Sequence, residues 1–321
     1  MSKEIALLTF DLDETIFTHF PCFEGTIPAG YWGNWLGVLT NANVWAFSKE
    51  VMGIYNQTRK ERFEYPINDE HILDWYPLLQ SIIETNGSFT MAAIGCGWGR
   101  WLSTGAFAAR YEKKDFFLIG VEAEPQHFEW LQNHLEDNKI NADNYRLIHA
   151  AASNYCGECW FYVGKSASWY GQSIVSDEQL KYGADIISKI KFFVKLHYLQ
   201  KFNNERLQRV ACVDLKEILG NNKLINYMML DIQGEEESFL TAYPEILQKH
   251  VKMVNIGTHS HTIENNLREF FSERGWTCLF DIPMNSVVQF QIKSDMSEKS
   301  QEKMNSITFG DGVQIWINNN I

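Results

Sequence analysis

The chain has 321 residues, long for one domain and short for two full ones, and its 45% hydrophobic and 14% aromatic content can build a large core. A formal net charge of -12, from 40 acidic against 28 basic residues, argues against a nucleic-acid partner, because phosphate backbones are held by clustered Lys and Arg. No run approaches the roughly eighteen apolar residues of a membrane span, and the amino terminus lacks the basic segment and apolar core of a signal peptide, so a cytoplasmic location is expected.

Residues 1–68 read as an aromatic-rich N-terminal extension that includes Trp32, Trp35 and Trp45. Ile5 to Phe10 is an apolar run of strand character that leads into Asp11-Leu-Asp13-Glu-Thr15. That order is similar to the first motif of haloacid-dehalogenase phosphatases, in which the first aspartate is a nucleophile and the second a general acid. Such chemistry also needs a Lys and a further acidic pair on the same sheet, and a different unit begins soon afterwards, so a strand with a polar end is the preferred reading. Tyr31-Trp-Gly-Asn-Trp-Leu-Gly37 reads as packing, with a sugar-facing aromatic platform as the alternative.

From residue 69 the pattern changes to alternating strands and helices. Asp69 to Glu84 predicts a helix, with Ile72, Trp75, Leu79 and Ile83 at helical intervals and Asn86-Gly87 as its stop. Phe89 to Ile94 predicts a buried strand that ends in three alternate glycines, Gly95, Gly97 and Gly99. Trp101, Leu102, Ala106 and Ala109 then recur at helical spacing. Strand, glycine turn and helix let a backbone approach a ligand closely and aim helix N–H groups at its anionic part. Phe116 to Val121 predicts a second strand, closed by Glu122-Ala-Glu124-Pro125 and a helix bearing Phe128, Leu131 and Leu135. An acid at that strand end, with Glu124 the candidate, is placed to hold ribose hydroxyls. The dinucleotide fingerprint G-x-G-x-x-G fails here, because its third glycine position is Arg100 and bulky Trp98 sits inside the loop. G-x-G-x-G matches instead the loop of an S-adenosylmethionine pocket, with a ligand-free tight connection as the plain alternative.

Tyr145 to Ala152 predicts a third strand ending at Ser153, followed by a turn at Asn154 to Gly157 and a strand over Trp160 to Val163. Trp169 to Ser173 predicts an ordered loop, and 177–206 a mostly helical insertion whose Lys181 to Lys201 stretch reads as a solvated helix face. Val210 to Asp214 predicts a short strand and a helix capped by Asp214. Tyr227 to Asp231 is the fourth core strand, before a helix with Phe239 and Leu240. Val251 to Ile256 is the fifth, before Gly257-Thr-His259-Ser-His261 and a helix over Thr262 to Arg274. The remainder is strand-rich, with Gly310-Asp-Gly312 as a turn. The six cysteines include Cys156-Gly-Glu-Cys159, which has metal or redox spacing but lacks a second pair; two reduced cysteines in a loop between strands is the preferred reading.

Taken together, Phe89 to Trp101, Val121 to Pro125, Leu230-Asp-Ile-Gln-Gly-Glu-Glu236, Gly257-Thr-His259 and Asp311-Gly-Val-Gln-Ile-Trp316 resemble the FkbM family of S-adenosylmethionine-dependent methyltransferases. The resemblance implies a Rossmann-like α/β fold over residues 69–321, with a mostly parallel sheet and an antiparallel strand near the C-terminus. It also implies O-methylation of a sugar hydroxyl in a glycan or sugar-containing natural product. Gly95, Gly97, Trp98, Gly99, Glu124, Ser153 and Asp231 are the expected cofactor-binding residues. Two positions depart from the family: Ala93 stands where an acid usually helps hold the cofactor's amino-acid end, and Gln233 replaces the acid usual before Gly234.

Methyl transfer to a sugar hydroxyl profits from a base, and His259 and Asp231 at adjacent strand ends are the candidates, with His261 a second choice. Asp231, Glu236 and His259 could also hold a divalent cation. Capping at Asp231 and a structural histidine are the alternatives for these residues. Three functions stay open: the sugar O-methyltransferase, a nicotinamide oxidoreductase, and a non-catalytic S-adenosylmethionine- or nucleotide-binding protein with a degenerate methyltransferase fold. A small-molecule or glycan acceptor is the expected partner, and homo-oligomerisation is left open.

Overall fold

The computed structural model describes residues 7–44, 53–66, 71–163, 173–175, 206–222, 224–293 and 306–321. Among these, one seven-stranded sheet carries the centre of the molecule. Its strands are β1 (Phe89–Ile94), β2 (Phe116–Glu122), β3 (Tyr145–His149), β4 (Tyr227–Leu230), β5 (Met253–Thr258), β6 (Trp276–Ile282) and β7 (Gly312–Asn318). Their spatial order is β3-β2-β1-β4-β5-β7-β6. The first five run parallel, and β7 lies antiparallel between β5 and β6. This is the expected Rossmann-like methyltransferase sheet with its antiparallel strand.

A parallel strand covered on both faces reads as a continuous apolar run, and β1 is one: Phe89, Met91, Ala92 and Ile94 are all buried. The helices α1 (Ile72–Glu84), α2 (Arg100–Tyr111) and α3 (Pro125–Asp137) contribute to one core cluster; α4 (Glu236–Thr241) and α5 (His261–Glu273) contribute to another. Local chemistry starts them. Pro125 opens α3 behind Glu124, whose carboxylate accepts from the His127 N–H at 2.7 Å. Ser260 caps α5 through the Ile263 N–H. Asp214 caps the short helix Leu215–Leu219 through the Glu217 N–H, as its position predicts. No helix among the described residues is long and apolar enough to cross a membrane.

The N-terminal residues share this core. Leu12, Phe17, Phe20 and Trp35 are buried in the same cluster as Trp75 and Leu78 of α1. Each large apolar side chain so buried contributes about 1.5–3 kcal/mol. Strand Leu7–Asp13 lies parallel to Ser286–Lys293, which pairs antiparallel with Ile307–Phe309, forming a separate three-stranded sheet. Asp13 spends its carboxylate on the Thr15 N–H and hydroxyl.

Several segments depart from the sequence reading. Tyr145 to Ala152 is not one strand: after His149 the chain leaves the central sheet, and Ala151–Ala152 pairs parallel with Cys212 and Val213 of the strand Arg206–Val213. That long strand in turn pairs antiparallel with Gly157–Val163, so a four-stranded sheet stands beyond the carboxyl ends of β2 and β3. Cys159 lies inside the strand Gly157–Val163 rather than in a loop; its thiol is buried and burial pushes it up to about 12. The fifth strand begins at Met253, with Val251 making only an isolated bridge to Ile225. The loop expected at 169–173 and the helical insertion expected at 177–206 lie outside the described residues except Ser173, next to the two-residue strand Ile174–Val175, and Arg206, which opens a strand.

Candidate functional site

The strand order reverses between β1 and β4, and ligands of open α/β sheets bind in the crevice beyond such a point. The glycine loop and the end of β4 are pressed together there. Gly95 has φ +72°, and a Cβ added to it would collide with the Asp231 carbonyl oxygen. Gly99, at φ +84°, leaves space that the Leu131 side chain fills, so that a Cβ there would run into Leu131 Cδ1. The Glu122 carboxylate ties this loop to the next one: it accepts from the Gly97 N–H at 2.7 Å and from the Glu124 N–H at 2.8 Å. Burial raises the Glu122 pKa, against the pull of His127 and of these backbone donors.

Three adjoining cavities open at this edge, and Asp231 lines all of them. The first lies over the loops after β2 and β3, among Glu122, Ala123, His127, Ala151 and Phe161. The second, about 180 Å³, has Ala93, Trp98, Arg100, Trp101 and Met229 in its wall. The third, about 290 Å³, lies toward β5 and β7 and is lined by His71, Asp74, Thr308 and Asp311 among others.

At the junction stand three titratable groups. His259 Nδ1 meets Glu236 Oε1 at 2.8 Å, and its Nε2 lies 3.4 Å from Asp231 Oδ1. Glu236 is fully buried and also accepts from the Ile232 and Gly234 N–H groups, so one carboxylate fixes both the loop after β4 and the imidazole. With Nδ1–H donating to Glu236, Nε2 is the nitrogen turned toward Asp231. Burial alone would lower the His259 pKa, but the Glu236 hydrogen bond and the charges of Glu236, Asp231 and Asp311 outweigh it and raise it. Asp231 is half-exposed at its tip, yet desolvation by the surrounding protein pushes it up to about 6 against the opposing pull of His259 and Gln233. The two therefore behave as one pair that retains a shared proton to higher pH than either group would alone. Gln233 donates its amide to Asp231 at 2.8 Å, an interaction that an ionised carboxylate in its place could not make.

The structure thus brings together Gly95, Gly97, Trp98, Asp231 and His259. Trp98 is buried, edge-on to Trp32 of the N-terminal region at 6.0 Å. Gly99 sits at the start of α2, while Glu124 is buried as the α3 cap and Ser153 is buried beside Ala152, its N–H on the Val213 carbonyl. His261 pairs with Glu264 on α5, and its side chain is largely exposed. Glu122 was visible in the sequence as the first acid of the strand end, but only its bonds to two loops distinguish it from Glu124. Donor atoms of Asp231, Glu236 and His259 lie within 4.8 Å of one another, and Glu236 already accepts from the Ile232 and Gly234 N–H groups and the imidazole.

No family model matches the chain. A protein of Jannaschia sp. (strain CCS1) named "Putative methyltransferase" is 30% identical over 268 residues, which cover 82% of this chain and 88% of that protein. Among solved structures, methyltransferase FkbM from Methylobacillus flagellatus KT aligns with a TM-score of 0.42 at 11% identity, covering 76% of this chain and 53% of that one. Precorrin-6y C5,15-methyltransferase from Geobacter metallireducens GS-15 aligns with a TM-score of 0.37 at 10% identity, covering 79% and 91%. The identity shared with the Jannaschia protein over most of both chains shows the family: this chain belongs to the methyltransferases.

Proposed function

We propose that the chain is an FkbM-type enzyme that uses S-adenosylmethionine to methylate a hydroxyl oxygen of a sugar, in a glycan or a sugar-containing natural product. The observation that carries this reading is the position of Asp231, common to three cavities and 3.4 Å from a histidine whose other nitrogen is anchored on a buried carboxylate.

The residues fit the methyl donor. Gly95 and Gly97 bring bare backbone to the first cavity, and Glu122 lines it beside apolar Ala123, Ala151 and Phe161, a setting for ribose hydroxyls and a purine. When bound, the donor supplies a sulfonium methyl that an alcohol oxygen can displace. The protein's own part is to orient the acceptor and to take its proton. Glu236 holds His259 with Nε2 turned to the junction; once the shared proton has left, Nε2 can accept the hydroxyl proton.

The third cavity carries the carboxylates of Asp74, Asp231 and Asp311, and no Lys or Arg among the described residues lines it. Such a rim repels an anionic acceptor and accepts hydroxyl donors, while Trp101, also in its wall, adds aromatic surface beside a sugar ring. The acceptor is therefore a neutral sugar rather than a phosphorylated one. The 1–68 extension supports the site by backing Trp98 with Trp32. Incubation with methyl-labelled S-adenosylmethionine and a panel of neutral and phosphorylated sugars tests the reading. Label should enter neutral sugars as an ether; label only in RNA or an amine would overturn it, and binding without transfer to any acceptor would favour a non-catalytic protein.

A further inference from the structure

The second cavity lies where the amino-acid end of a methyl donor would project from the glycine loop, and its charge is unusual. That end bears one carboxylate and one ammonium. Ala93 of β1, in the wall of this cavity, is only 2% exposed and brings no charge to it. The cavity instead contains Arg100, the only Arg or Lys among the described residues that line the three adjoining cavities. We propose that Arg100 anchors the carboxylate of the donor's amino-acid end. The inference rests on the proposed cofactor and goes beyond it to name the group that reads its charged tail.

Three features support the assignment. Arg100 is the first residue of α2, so its guanidinium is added to the positive end of a helix whose early N–H groups face the same edge. Its Cζ lies 4.6 Å from the centroid of the Trp101 ring and 5.8 Å from that of Trp75. Trp75 and Trp101 meet edge-to-face at 4.9 Å, and Trp75 is buried. A guanidinium held against two locked indoles loses little further freedom when it binds, and its planar fork matches a carboxylate in two parallel hydrogen bonds. Asp231, across the same cavity, is the carboxylate available to the ammonium. Charge at this end is thus divided between two walls: Arg100 on the α2 side and Asp231 at the end of β4.

Calorimetric titration of the full chain with two ligands tests this. S-Adenosylhomocysteine carries the amino-acid end; 5′-methylthioadenosine has the same nucleoside and sulfur but lacks it. Arg100→Met keeps an apolar stem against Trp101 and removes the fork. It should weaken S-adenosylhomocysteine about tenfold to a hundredfold, the scale of one charged hydrogen-bonded pair, and leave 5′-methylthioadenosine within about twofold. Arg100→Lys keeps the charge without the fork and should fall between, which supplies the answer if the methionine variant does not fold. Equal losses for both ligands would assign Arg100 a structural role and overturn the proposal, as would unchanged S-adenosylhomocysteine binding. Wild-type protein that binds neither ligand would instead overturn the cofactor reading on which the proposal stands.

Discussion

The proposed donor side and the proposed acceptor side of the sheet edge are built in opposite ways. On the donor side, one unbroken stretch from β1 to α2 supplies the glycine loop, Trp98 and Arg100, and backbone conformation does most of the shaping. On the acceptor side, the third cavity is assembled from His71 and Asp74, from Asp231 after β4, from Gly257 on β5 and from Thr308 to Val313. There, side-chain charge rather than backbone shape defines the space. The contrast teaches that the shape of the glycine loop rests on a few neighbouring residues, whereas the third cavity changes whenever one of several distant segments does.

That contrast can be broken first at the acceptor side. His259→Ala should lower turnover by roughly two to four orders of magnitude, the scale of a general base, and leave the S-adenosylhomocysteine dissociation constant nearly unchanged. Steady-state kinetics beside calorimetry would check this, and parallel losses in both would show that the two halves are one unit. Gly95→Ala acts on the donor side: its φ of +72° and the collision of a new methyl with the Asp231 carbonyl force the loop away from β4. Strain of this kind costs about 1–3 kcal/mol. Urea denaturation should show that loss, together with cofactor affinity weakened by at least the same factor; a stable variant with intact affinity would mean that the loop does not shape the pocket.

A smaller effect separates charge from shape. Because the His259 pKa is raised, the acid limb of turnover should have its midpoint above the ordinary histidine value of about 6.5. Glu236→Gln removes the largest raising influence and should move that midpoint down. Stability follows with a defined sign. Protonated His259 stabilises the fold fully below about pH 6.5, and that contribution is lost as pH rises through its raised folded value. Asp231, pushed up to about 6, adds a loss in the same direction between about pH 3.9 and that value. Urea midpoints should therefore fall on going from about pH 5.5 to about pH 8, and less steeply in Glu236→Gln. A pH profile unchanged by that substitution would remove Glu236 as the positioning group.

How much of this could be read from sequence depended on how local each signal is. The order of β1, β2, β4 and β5, the glycine loop and the proline start of α3 all rest on neighbouring residues, and all stand in the structure as expected. The break after His149 was not legible, because Ala151 and Ala152 are drawn away by Cys212 and Val213, far along the chain. The division of labour between Glu122 and Glu124 was hidden for the same reason: one accepts from the N–H groups of two separate loops, the other from its own helix. Glu236 was grouped with Asp231 and His259 only as a possible cation ligand; that it turns inward to hold the His259 imidazole and the loop after β4 shows only in the fold. Arg100 appeared only as a fault in the dinucleotide fingerprint, and its stacking on Trp101 and Trp75 gives that fault a physical use.

The small sheet that joins Leu7–Asp13 to Ser286–Lys293 has a consequence for synthesis on the ribosome. Its register sets Leu7 against Val287, so among the described residues this strand's partner is made about 280 residues after it. At a translation rate of ~5–20 residues per second, that wait is roughly a quarter of a minute to a minute. Throughout it Leu8, Phe10 and Leu12 belong to an apolar strand with unpaired N–H and C=O groups, the kind of surface that chaperones cover and neighbouring nascent chains capture. This strand is thereby exposed long before it can be locked, and nascent-chain length rather than local propensity governs when it acquires protease resistance.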